Sequence, residues 1–472
     1  MENDQIEAIA YNGYSHGRDI SLRFCKIVSN MKKLRWLKVR MRDGKYVEGP
    51  NFLSNELRYI DWSGYPTSEL PHNFILMKLV VLKLWGSLQK EVRGFKLLPH
   101  LKVLQLFDME ELQKTPNFDD LPCLQKLTLA YCYKLPWIHS SLGYHRSIEY
   151  IRVWKCPKLR MFPDIIHMKN LKTLDIANCG LGDGGIPDSI DKLSNLQELD
   201  LSGNKVSRLY LNLSQLRQLR LLNVSDCRDL HTLPDLPSSL ITLKADSCYS
   251  LTSFGDGYKN CKRLCQVSLI QGSIINDGER LLQYMLEGKA IENGSMVLRL
   301  EGVEVAKGFN PRLLRGGRYI LQLPGNWCND FCGFLVCAVI KSEYNVSSPS
   351  LAISINQMMS SKMYSQDEMV WEESSNDGAW TWVGYVSFGS LKNTTWWDQT
   401  YKALEFNVEQ LQYKKCRGFG VTLVEKKSIT GTSKGSEGYT NNFKIEHDLK
   451  SALMISLIVY HPVYRCNMNA AT

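Results

Sequence analysis

The feature that most constrains the fold is a short motif of apolar residues that recurs as far as residue 272. In each copy an apolar residue is followed by two others, three and five positions later, and in six copies also by cysteine or asparagine eight positions later. LQKLTLAYC (124–132) and LRLLNVSDC (219–227) show the motif clearly. Eleven copies, 21 to 25 residues apart, begin at Leu34, Leu57, Leu79, Leu101, Leu124, Ile148, Leu171, Leu196, Leu219, Leu240 and Leu264. This period is typical of leucine-rich repeats.

A repeat of this kind forms a short strand whose alternate side chains point inward, followed by a turn and a return segment. No repeat buries its apolar edge alone, so neighbouring repeats stack around one continuous core. Prolines recur in the return segments, as in KLP (134–136) and TLPDLP (232–237), where irregular backbone tolerates them. We therefore predict an α/β leucine-rich-repeat solenoid of 10 to 11 irregular repeats over residues 34–272, preceded by an N-terminal cap over residues 1–33.

After the repeats, the pattern changes to short alternating strands separated by turn-rich pieces. The predicted strands are 296–302, 318–324, 333–340, 350–357, 381–389, 403–409 and 419–425. Several short strands without helix-length patterns predict an all-β jelly-roll/Ig-like sandwich over residues 296–426. We expect a linker helix over residues 273–295 and a flexible tail over residues 427–472.

The eighth position of the motif holds cysteine or asparagine in six repeats, at Cys132, Cys156, Cys179, Asn204, Cys227 and Cys248. We interpret these as structural turn residues, because a small, weakly polar, buried side chain suits both residue types. Metal ligation is the competing hypothesis, but thiols one repeat apart face their own turns and no nearby residue completes a four-ligand set. A zinc site from Cys261/Cys265 and Cys328/Cys332 is also conceivable, and buried structural cysteine is favoured over it. The sequence predicts no cofactor and no metal.

Composition bears on partners and location. The formal net charge of +9 is spread over 472 residues without a long basic run, so nucleic acid is not an expected partner. The longest apolar runs, 331–340 and 452–460, are too short to span a membrane as helices. Fourteen cysteines without a recognisable signal peptide predict reduced thiols in a cytoplasmic and/or nuclear protein. The absence of GxxxxGK[ST], HExxH and GxSxG motifs predicts that the chain is not an enzyme.

The residues between the buried positions are predicted to line a concave face. The candidate partner-binding residues are Trp36, Tyr59, Trp85, Phe107, Tyr131, Tyr150, Arg152, Trp154, Asp175, Glu198, Asp200, Asp226 and Asp246. Aromatic and cationic residues occupy the first six repeats, and small or acidic residues occupy the later ones. Exposed aromatics with arginine and lysine are typical of protein-binding hot spots, so we favour a protein partner over aromatics that merely cover a curved strand face. Lys126 and Thr128 are likewise expected to face outward.

Three stretches resemble the C-terminal half of plant intracellular immune receptors of the TIR–NB–LRR class. FCKIVSNMKKLRWLKV (24–39) resembles the segment that leads into the first repeat of that family. The LxxLxLxxC repeats with following LP resemble the family's cytosolic repeats. RYILQLPGNWCNDFCGFLVCAV (318–339), WVGYVSF (382–388) and the stretch 403–425 resemble the family's post-repeat jelly-roll/Ig-like domain. Together these stretches span the chain to about residue 425.

The resemblance implies a non-catalytic scaffold for protein interaction, the sensor and autoinhibitory portion of a receptor that recognises a pathogen effector. Early repeats would dock on a nucleotide-binding module, later repeats and the jelly-roll domain would contact the effector, and a receptor oligomer is a possible assembly. TIR and nucleotide-binding modules do not occur in this sequence, so neither a nucleotide switch nor NAD cleavage is assigned. EVAKGF (304–309) departs from the family, with Ala306 and Gly308 where proline and tryptophan are usual.

Two alternatives compete with this interpretation. An extracellular leucine-rich-repeat receptor is suggested by GGIPDSIDKLSNLQELDLSGN (184–204), the one repeat that matches that class well. A carbohydrate-binding or hydrolytic β-sandwich would need paired carboxylates, and Glu301/Glu304 or Glu372/Glu373 are merely neighbouring acids on predicted turns. A secretory leader in upstream coding sequence would favour the first alternative, and glycan binding or hydrolysis the second.

Overall fold

The fold was analysed on a computed structural model. It describes residues 5–13, 18–41, 48–65, 76–92, 98–253, 255–272, 277–287, 295–341, 351, 353–357, 370–371, 378–391, 402–408, 416–426 and 454–457. The chain divides into two compact units, Met1–Cys261 and Lys262–Thr472. The last of the eleven repeat motifs, which begins at Leu264, therefore lies in the second unit.

The first unit is built on a ladder of parallel strands, one for each repeat. The strands are β1 (Ala8–Gly13), β2 (Trp36–Met41), β3 (Tyr59–Ser63), β4 (Val81–Trp85), β5 (Val103–Phe107), β6 (Lys126–Ala130), β7 (Tyr150–Trp154), β8 (Thr173–Asp175), β9 (Glu198–Asp200), β10 (Leu221–Asn223) and β11 (Thr242–Lys244). Each strand pairs in parallel with the next. From β2 onward, every strand begins two residues after the first apolar residue of its motif. The predicted leucine-rich-repeat fold is confirmed.

The apolar positions of the motif form the core of this unit. In the ten repeats from Leu34 to Ala245, the three apolar side chains are at most 2% exposed. Short 3-10 helices lie in the return segments, at Phe118–Asp120, Ser140–Tyr144, Asp188–Lys192, Leu213–Gln215 and Gly257–Asn260. Such helices are the tight turns that fit a short connection between stacked strands.

The segment predicted as a cap contains a further strand of the ladder. Ile6, Ile9 and Tyr11 have the spacing of the repeat motif, and β1 pairs with β2 in the register Ala8 with Trp36. Helix α1 (Arg18–Val28) follows β1 and takes the place of the irregular return segment. The first unit therefore begins with a repeat-like element that was not recognised in the sequence, because its alanines weaken the leucine pattern.

The residue before the eighth motif position adopts the left-handed backbone conformation in ten consecutive repeats, the last of them in the second unit. These residues are Gly64, Gly86, Asp108, Tyr131, Lys155, Asn178, Gly203, Asp226, Ser247 and Gln271, with φ between 52° and 72°. At Gly64 only glycine fits, since a Cβ atom there would lie 2.2 Å from the carbonyl oxygen of Met41. The other side chains accept a conformation that disfavours L-residues, which lets the chain leave each strand in the same direction.

The second unit contains two sheets. Its strands are β12 (Gln266–Leu269), β13 (Ser295–Glu301), β14 (Leu314–Arg315), β15 (Arg318–Gln322), β16 (Phe331–Lys341), β17 (Ile353–Gln357), β18 (Ala379–Ser387), β19 (Ala403–Val408), β20 (Cys416–Glu425) and β21 (Met454–Leu457). In the first sheet, β12 pairs in parallel with β13, and the antiparallel order continues through β18, β16, β20 and β14. The second sheet is antiparallel, in the order β15, β19, β17 and β21.

The two sheets of this unit share one hydrophobic core. Phe334 on β16 and Phe406 on β19 are fully buried, with ring centroids 5.3 Å apart in an edge-to-face arrangement. Phe334, Val336 and Ala338 all belong to this core, so alternate residues of β16 face the second sheet, as the pleat of a strand requires. Each of the seven predicted strands has a counterpart among β13 and β15–β20.

In the described parts of this unit, four helices accompany the sheets, namely α2 (Gly278–Glu287), α3 (Glu304–Lys307), α4 (Trp327–Asp330) and α5 (Phe388–Leu391). Helix α2 occupies the middle of the predicted linker 273–295, whose other parts lie partly outside the described residues. Of the predicted tail 427–472, only β21 is described. None of the helices in the described part of the chain is both long enough and apolar enough to cross a membrane.

Candidate protein-binding face

The outward-pointing side chains of β2–β11 form a surface that we call the strand face. Parallel pairing in a constant register places equivalent residues of successive repeats side by side, one strand spacing of about 4.8 Å apart. Tyr59, Val81, Val103, Lys126, Tyr150 and Thr173 form one row across the strands, and Ser63, Trp85, Phe107, Ala130 and Trp154 form another. Residues some 22 positions apart in sequence thus become direct neighbours.

The aromatic residues of the strand face are in contact with one another. Trp36 stacks on Tyr59 with ring centroids 5.3 Å apart, and Trp85 stacks on Phe107 at 3.9 Å with an interplanar angle of 9°. Tyr131 meets Trp154 edge to face at 4.8 Å. Such pairs stabilise each other by about 0.5–1.5 kcal/mol beyond burial of their area. The rings are therefore half-buried and held in fixed orientations before any partner binds.

Lysine ammonium groups lie over several of these rings. The Nζ atom of Lys126 is 4.3 Å from the ring centroid of Tyr150, and that of Lys155 is 4.7 Å from Trp154 and 5.2 Å from Tyr131. A cation over an aromatic face is attracted by the electrons of the ring. The early repeats thus combine ordered aromatic surface with positive charge.

Two arginines of the strand face are bound to carboxylates of the chain itself. Arg40 donates to both carboxylate oxygens of Asp61, at 2.9 and 2.8 Å. The Nε atom of Arg152 lies 2.8 Å from a carboxylate oxygen of Asp175. Asp61 and Asp175 are only 5% and 9% exposed, because each lies beneath its arginine. Asp175, expected on the accessible face, is thus buried.

Thr128 also differs from the expectation that it faces outward. Its side chain is 2% exposed, since it is short and lies between Gln105 and Arg152 on the neighbouring strands. The remaining twelve candidate residues are partly or fully accessible. The accessibility of a short face residue such as Thr128 therefore depends on its neighbours across the strands.

The later repeats place carboxylates on adjacent strands. Asp175 and Asp200 occupy equivalent positions on β8 and β9. Burial, and then the charge of Asp200, raise the pKa of Asp175 to about 7, although Arg152 opposes the change. Asp200 accepts hydrogen bonds from Asn223 and Ser202, at 2.8 and 2.6 Å. These acids therefore form a connected polar network.

Glu198, Asp226 and Asp246 complete the acidic set of candidates. Glu198 accepts a hydrogen bond from the Thr173 hydroxyl at 3.4 Å, and Asp246 is half-buried at the end of β11. Asp226 is exposed at the turn after β10, so it is the most accessible acid among these candidates.

The eighth motif positions of six successive repeats, Cys132, Cys156, Cys179, Asn204, Cys227 and Cys248, form what we call the turn column. Buried thiols and one amide occupy it. Cys179, Cys227 and Cys248 donate to carbonyl oxygens of Val153, Leu201 and Val224, with sulfur–oxygen distances of 3.2, 3.3 and 3.2 Å. In each case the acceptor is the fifth-position residue of the preceding repeat. Cys156 reaches the equivalent carbonyl of Leu129 at 3.8 Å, and Cys132 reaches Ala130 in its own repeat at 3.7 Å.

Asn204 fills the same position more completely. Its amide nitrogen donates to Ile176 and Leu201, at 2.9 and 2.8 Å. Its amide oxygen accepts the backbone N–H groups of Cys179 and Leu181, at 3.3 and 3.1 Å. One buried side chain thereby satisfies four backbone groups in two repeats, which is the role of a structural turn residue.

The chemistry of the buried thiols is that of protonated groups. Burial raises the pKa of Cys227 and of Cys248 to about 12, so neither is a thiolate near neutrality. The thiols of the two CxxxC pairs also contact backbone, with Cys261 donating to Pro237 at 3.4 Å and Cys332 to Val424 at 3.3 Å. Within the described part of the chain, no group of three or more His, Cys, Asp or Glu residues is arranged to hold a metal ion.

The candidate carboxylate pairs of the second unit have local partners. Glu301 accepts the backbone N–H of Gln271 at 2.7 Å, and Glu304 binds Lys307 within α3 at 3.0 Å. Glu372 and Glu373 lie outside the described residues. The described acids therefore bind a backbone N–H group and a lysine within a helix.

Comparison with known proteins identifies the relatives of the chain. A sequence model described as Leucine Rich Repeat matches residues 170–193. Disease resistance protein RPP2A of Arabidopsis thaliana is 27% identical over 41% of this chain and 14% of its own length. TMV resistance protein N of Nicotiana glutinosa is 28% identical over 52% of this chain and 22% of its own length. The chain thus matches less than a quarter of either relative.

Among solved structures, the leucine-rich repeat domain of the type III effector XopL is similar over 45% of this chain and 68% of its own length, with 19% identity and a TM-score of 0.33. The assignment of the chain to a class of proteins rests on the relatives that are similar in sequence and not on this solved structure. The chain is homologous to plant disease resistance proteins of the TIR–NB–LRR class and corresponds to a C-terminal leucine-rich-repeat part of such a protein.

Proposed function

We propose that the chain is the sensor and autoinhibitory portion of an intracellular plant immune receptor. It acts as a non-catalytic scaffold whose partners are a pathogen effector and a nucleotide-binding module. The observation that carries the proposal is the aromatic and cationic assembly on the strand face of β2–β7, where stacked rings and lysines stand at equivalent positions of successive repeats. The similarity of the chain to disease resistance proteins supports the biological setting.

The physical case for binding rests on preorganisation. Tryptophan and tyrosine carry much of the affinity at protein interfaces, because they bury large areas at the cost of few rotatable bonds. Rings that are already stacked lose little further freedom when a partner arrives. Lysines above the rings present positive charge, which steers an acidic partner and fixes its orientation.

The strand face divides into two parts of different chemistry. The aromatic and cationic part on β2–β7 is proposed to hold the nucleotide-binding module. The acidic part on β8–β11 is proposed to contact the effector, together with the second unit, which we propose to be a jelly-roll/Ig-like domain. Two sheets around a shared core support that assignment of the second unit.

The test is a double substitution on the aromatic part, Trp85→Ala with Trp154→Ala. We expect the affinity for the nucleotide-binding module of a related resistance protein, measured by calorimetry or pull-down, to fall about tenfold or more, as for hot-spot tryptophans. Trp137→Ala is the matched control, because Trp137 is 53% exposed but lies in a return segment and not on a strand.

Circular dichroism of the double variant should show the parental fold, since both indoles are only half-buried. Equal affinity of the double variant and the parent would contradict the proposal, as would an equal loss in the Trp137 control.

A further inference from the structure

A second surface feature of the first unit lies beside the starts of β3, β4 and β5. A cavity of about 360 Å³ is lined by Arg58, Lys78, Val80, His100, Lys102 and Cys123. Four of the six lining residues carry cationic or titratable basic side chains, and none is acidic. The cysteines of the turn column and the described carboxylates of the second unit take no part in this cavity.

The repeat geometry explains why these residues meet. Arg58, Val80 and Lys102 each stand directly before a strand, in three successive repeats. The backbone N–H of Val80 donates to Arg58, and that of Lys102 donates to Val80, both at 2.8 Å. The three side chains therefore rise from adjacent positions, with Arg58 and Lys102 about 10 Å apart. Val80 has a short side chain and lies between two long cationic side chains, which leaves space for the cavity. The half-buried side chain of Val80 lines the bottom of this cavity.

Among the described residues, one carboxylate is paired with a cation that lines the cavity. Lys78 forms an ion pair with Glu56 at 2.7 Å, on the rim. The hydrogen bond from Lys78 lowers the pKa of Glu56, and the charges of Lys78, Arg35 and Arg58 lower it further. Arg58, Lys78 and Lys102 counted against Glu56 leave an excess of two positive charges, with His100 not counted. A concave site with this excess favours a compact anion with several charges.

We propose that this cavity binds a small molecule or headgroup that carries clustered phosphate groups. Arginine offers a planar set of N–H donors to phosphate oxygens, and lysine contributes a point charge. Two such groups on either side of Val80 match a ligand with two or more phosphates, whereas a single carboxylate would engage only one of them. The free metabolite and the membrane-bound headgroup share this chemistry.

The experiment uses the full chain and inorganic tripolyphosphate as the probe, with binding measured by calorimetry at constant ionic strength. The test variant is Arg58→Gln with Lys102→Gln, and the matched control is Lys205→Gln with Arg217→Gln. The control removes the same charge from exposed positions in later repeats. We expect the test variant to bind about tenfold more weakly, because two charge-assisted contacts are lost, and the control to stay within about twofold of the parent.

Cys123 supplies a second readout, because its exposed thiol lies in the cavity wall. Tripolyphosphate should slow alkylation of Cys123 by iodoacetamide in the parent and not in the test variant. The modified peptide is followed by mass spectrometry, which separates Cys123 from the other cysteines. Sodium chloride at matched ionic strength is the control for screening, and it should leave the rate unchanged.

A second arm distinguishes the two sources of phosphate. Phosphatidylcholine vesicles with and without a phosphatidylinositol phosphate are sedimented with the parent and with both variants. Retention that depends on the phosphoinositide and on Arg58 and Lys102 assigns the cavity to a headgroup, whereas tripolyphosphate binding alone assigns it to a soluble ligand. The proposal is overturned if neither probe binds, or if the test variant binds both probes as tightly as the control variant.

Discussion

At the residue scale, the side chain at the eighth motif position decides how many backbone groups of the turn are satisfied. Asn204 binds two backbone N–H donors and two carbonyl acceptors, whereas Cys227 donates its one thiol proton to the carbonyl oxygen of Leu201. Sulfur is a weak donor, but it is tolerated in the dry interior where a stronger unpaired group would be costly. Cysteine and asparagine thus both form hydrogen bonds with the backbone of the turn, and those of asparagine are stronger.

This difference predicts the result of two substitutions at Asn204. Asn204→Ala should lower the free energy of unfolding by about 2–4 kcal/mol, since it leaves buried N–H and carbonyl groups without partners. Asn204→Cys should cost less, because the thiol reaches the carbonyl of the preceding repeat as its neighbours do. Urea denaturation of both variants measures the difference, and a cysteine variant no more stable than the alanine variant would refute this explanation.

On the strand face, Asp175 is a residue whose charged form is unfavourable in the folded state, because its carboxylate is buried. Its pKa of about 7 in the folded chain lies above the ordinary aspartate value near 4. The folded state therefore binds the proton more tightly than the unfolded state does, and the protonated carboxyl stabilises the fold below about pH 4. That stabilisation is lost as the pH rises through 7.

Asp175→Asn should remove this dependence. We expect the stability of the variant relative to the parent to increase as the pH rises from about 4 to about 8, because the amide stays neutral throughout. Thermal unfolding measured at several pH values tests this expectation. A difference between variant and parent that is independent of pH would show that Asp175 does not titrate in this range.

At the scale of the element, the recurring unit is a strand followed by one left-handed residue and one buried turn residue. Asp226 illustrates it, with φ of 58° and a side chain exposed to solvent. Its backbone N–H donates to the carbonyl of Asp246 in the next repeat at 2.7 Å. The backbone conformation, more than any contact of the side chain, limits which residues fit there.

Substitutions at Asp226 should therefore depend on backbone preference. Asp226→Val should lower the free energy of unfolding by at least about 1 kcal/mol, because a β-branched residue is strained at positive φ. Asp226→Gly should be neutral within about 0.5 kcal/mol, since relief of strain offsets the added freedom of the unfolded chain. Chemical denaturation of the two variants checks the order, and equal destabilisation by valine and glycine would contradict it.

The features of the fold and of the candidate site that could be predicted from the sequence are those determined by residues within a single repeat. The strands β2–β12 followed from the spacing of leucines, because burial at fixed positions is written into each repeat. The left-handed position could not be predicted from the motif. Glycine occupies it at Gly64, Gly86 and Gly203, but the other repeats have polar or aromatic residues there. The burial of Thr128 and Asp175 depends on neighbours in adjacent repeats, which no single motif contains.

At the scale of the whole molecule, the chain consists of two compact units with different kinds of core. The first unit depends on contacts between adjacent repeats, so its stability is spread along the ladder. The second unit depends on two sheets that face each other, and aromatic residues such as Phe334 and Phe406 meet at its centre. A lesion in one core should therefore act mainly within its own unit.

Phe406→Ala tests this independence. Loss of a fully buried phenylalanine should destabilise the second unit by about 3–5 kcal/mol. Hydrogen exchange should accelerate at β15–β20 and remain unchanged at β3–β10. Equal acceleration in both units would mean that the chain unfolds as a single cooperative body.

The hydrogen bonds of the turn column have a consequence for the evolution of such a chain. The five repeats that begin at Leu124, Ile148, Leu171, Leu196 and Leu219 present the same carbonyl, at the fifth position, to the eighth-position side chain of the next repeat. Within this part of the array, one repeat can therefore follow another without leaving that carbonyl unmatched at the junction. Duplication or loss of a whole repeat lengthens or shortens the array while every joint is preserved, so new recognition surfaces can arise by shuffling copies of one interchangeable part.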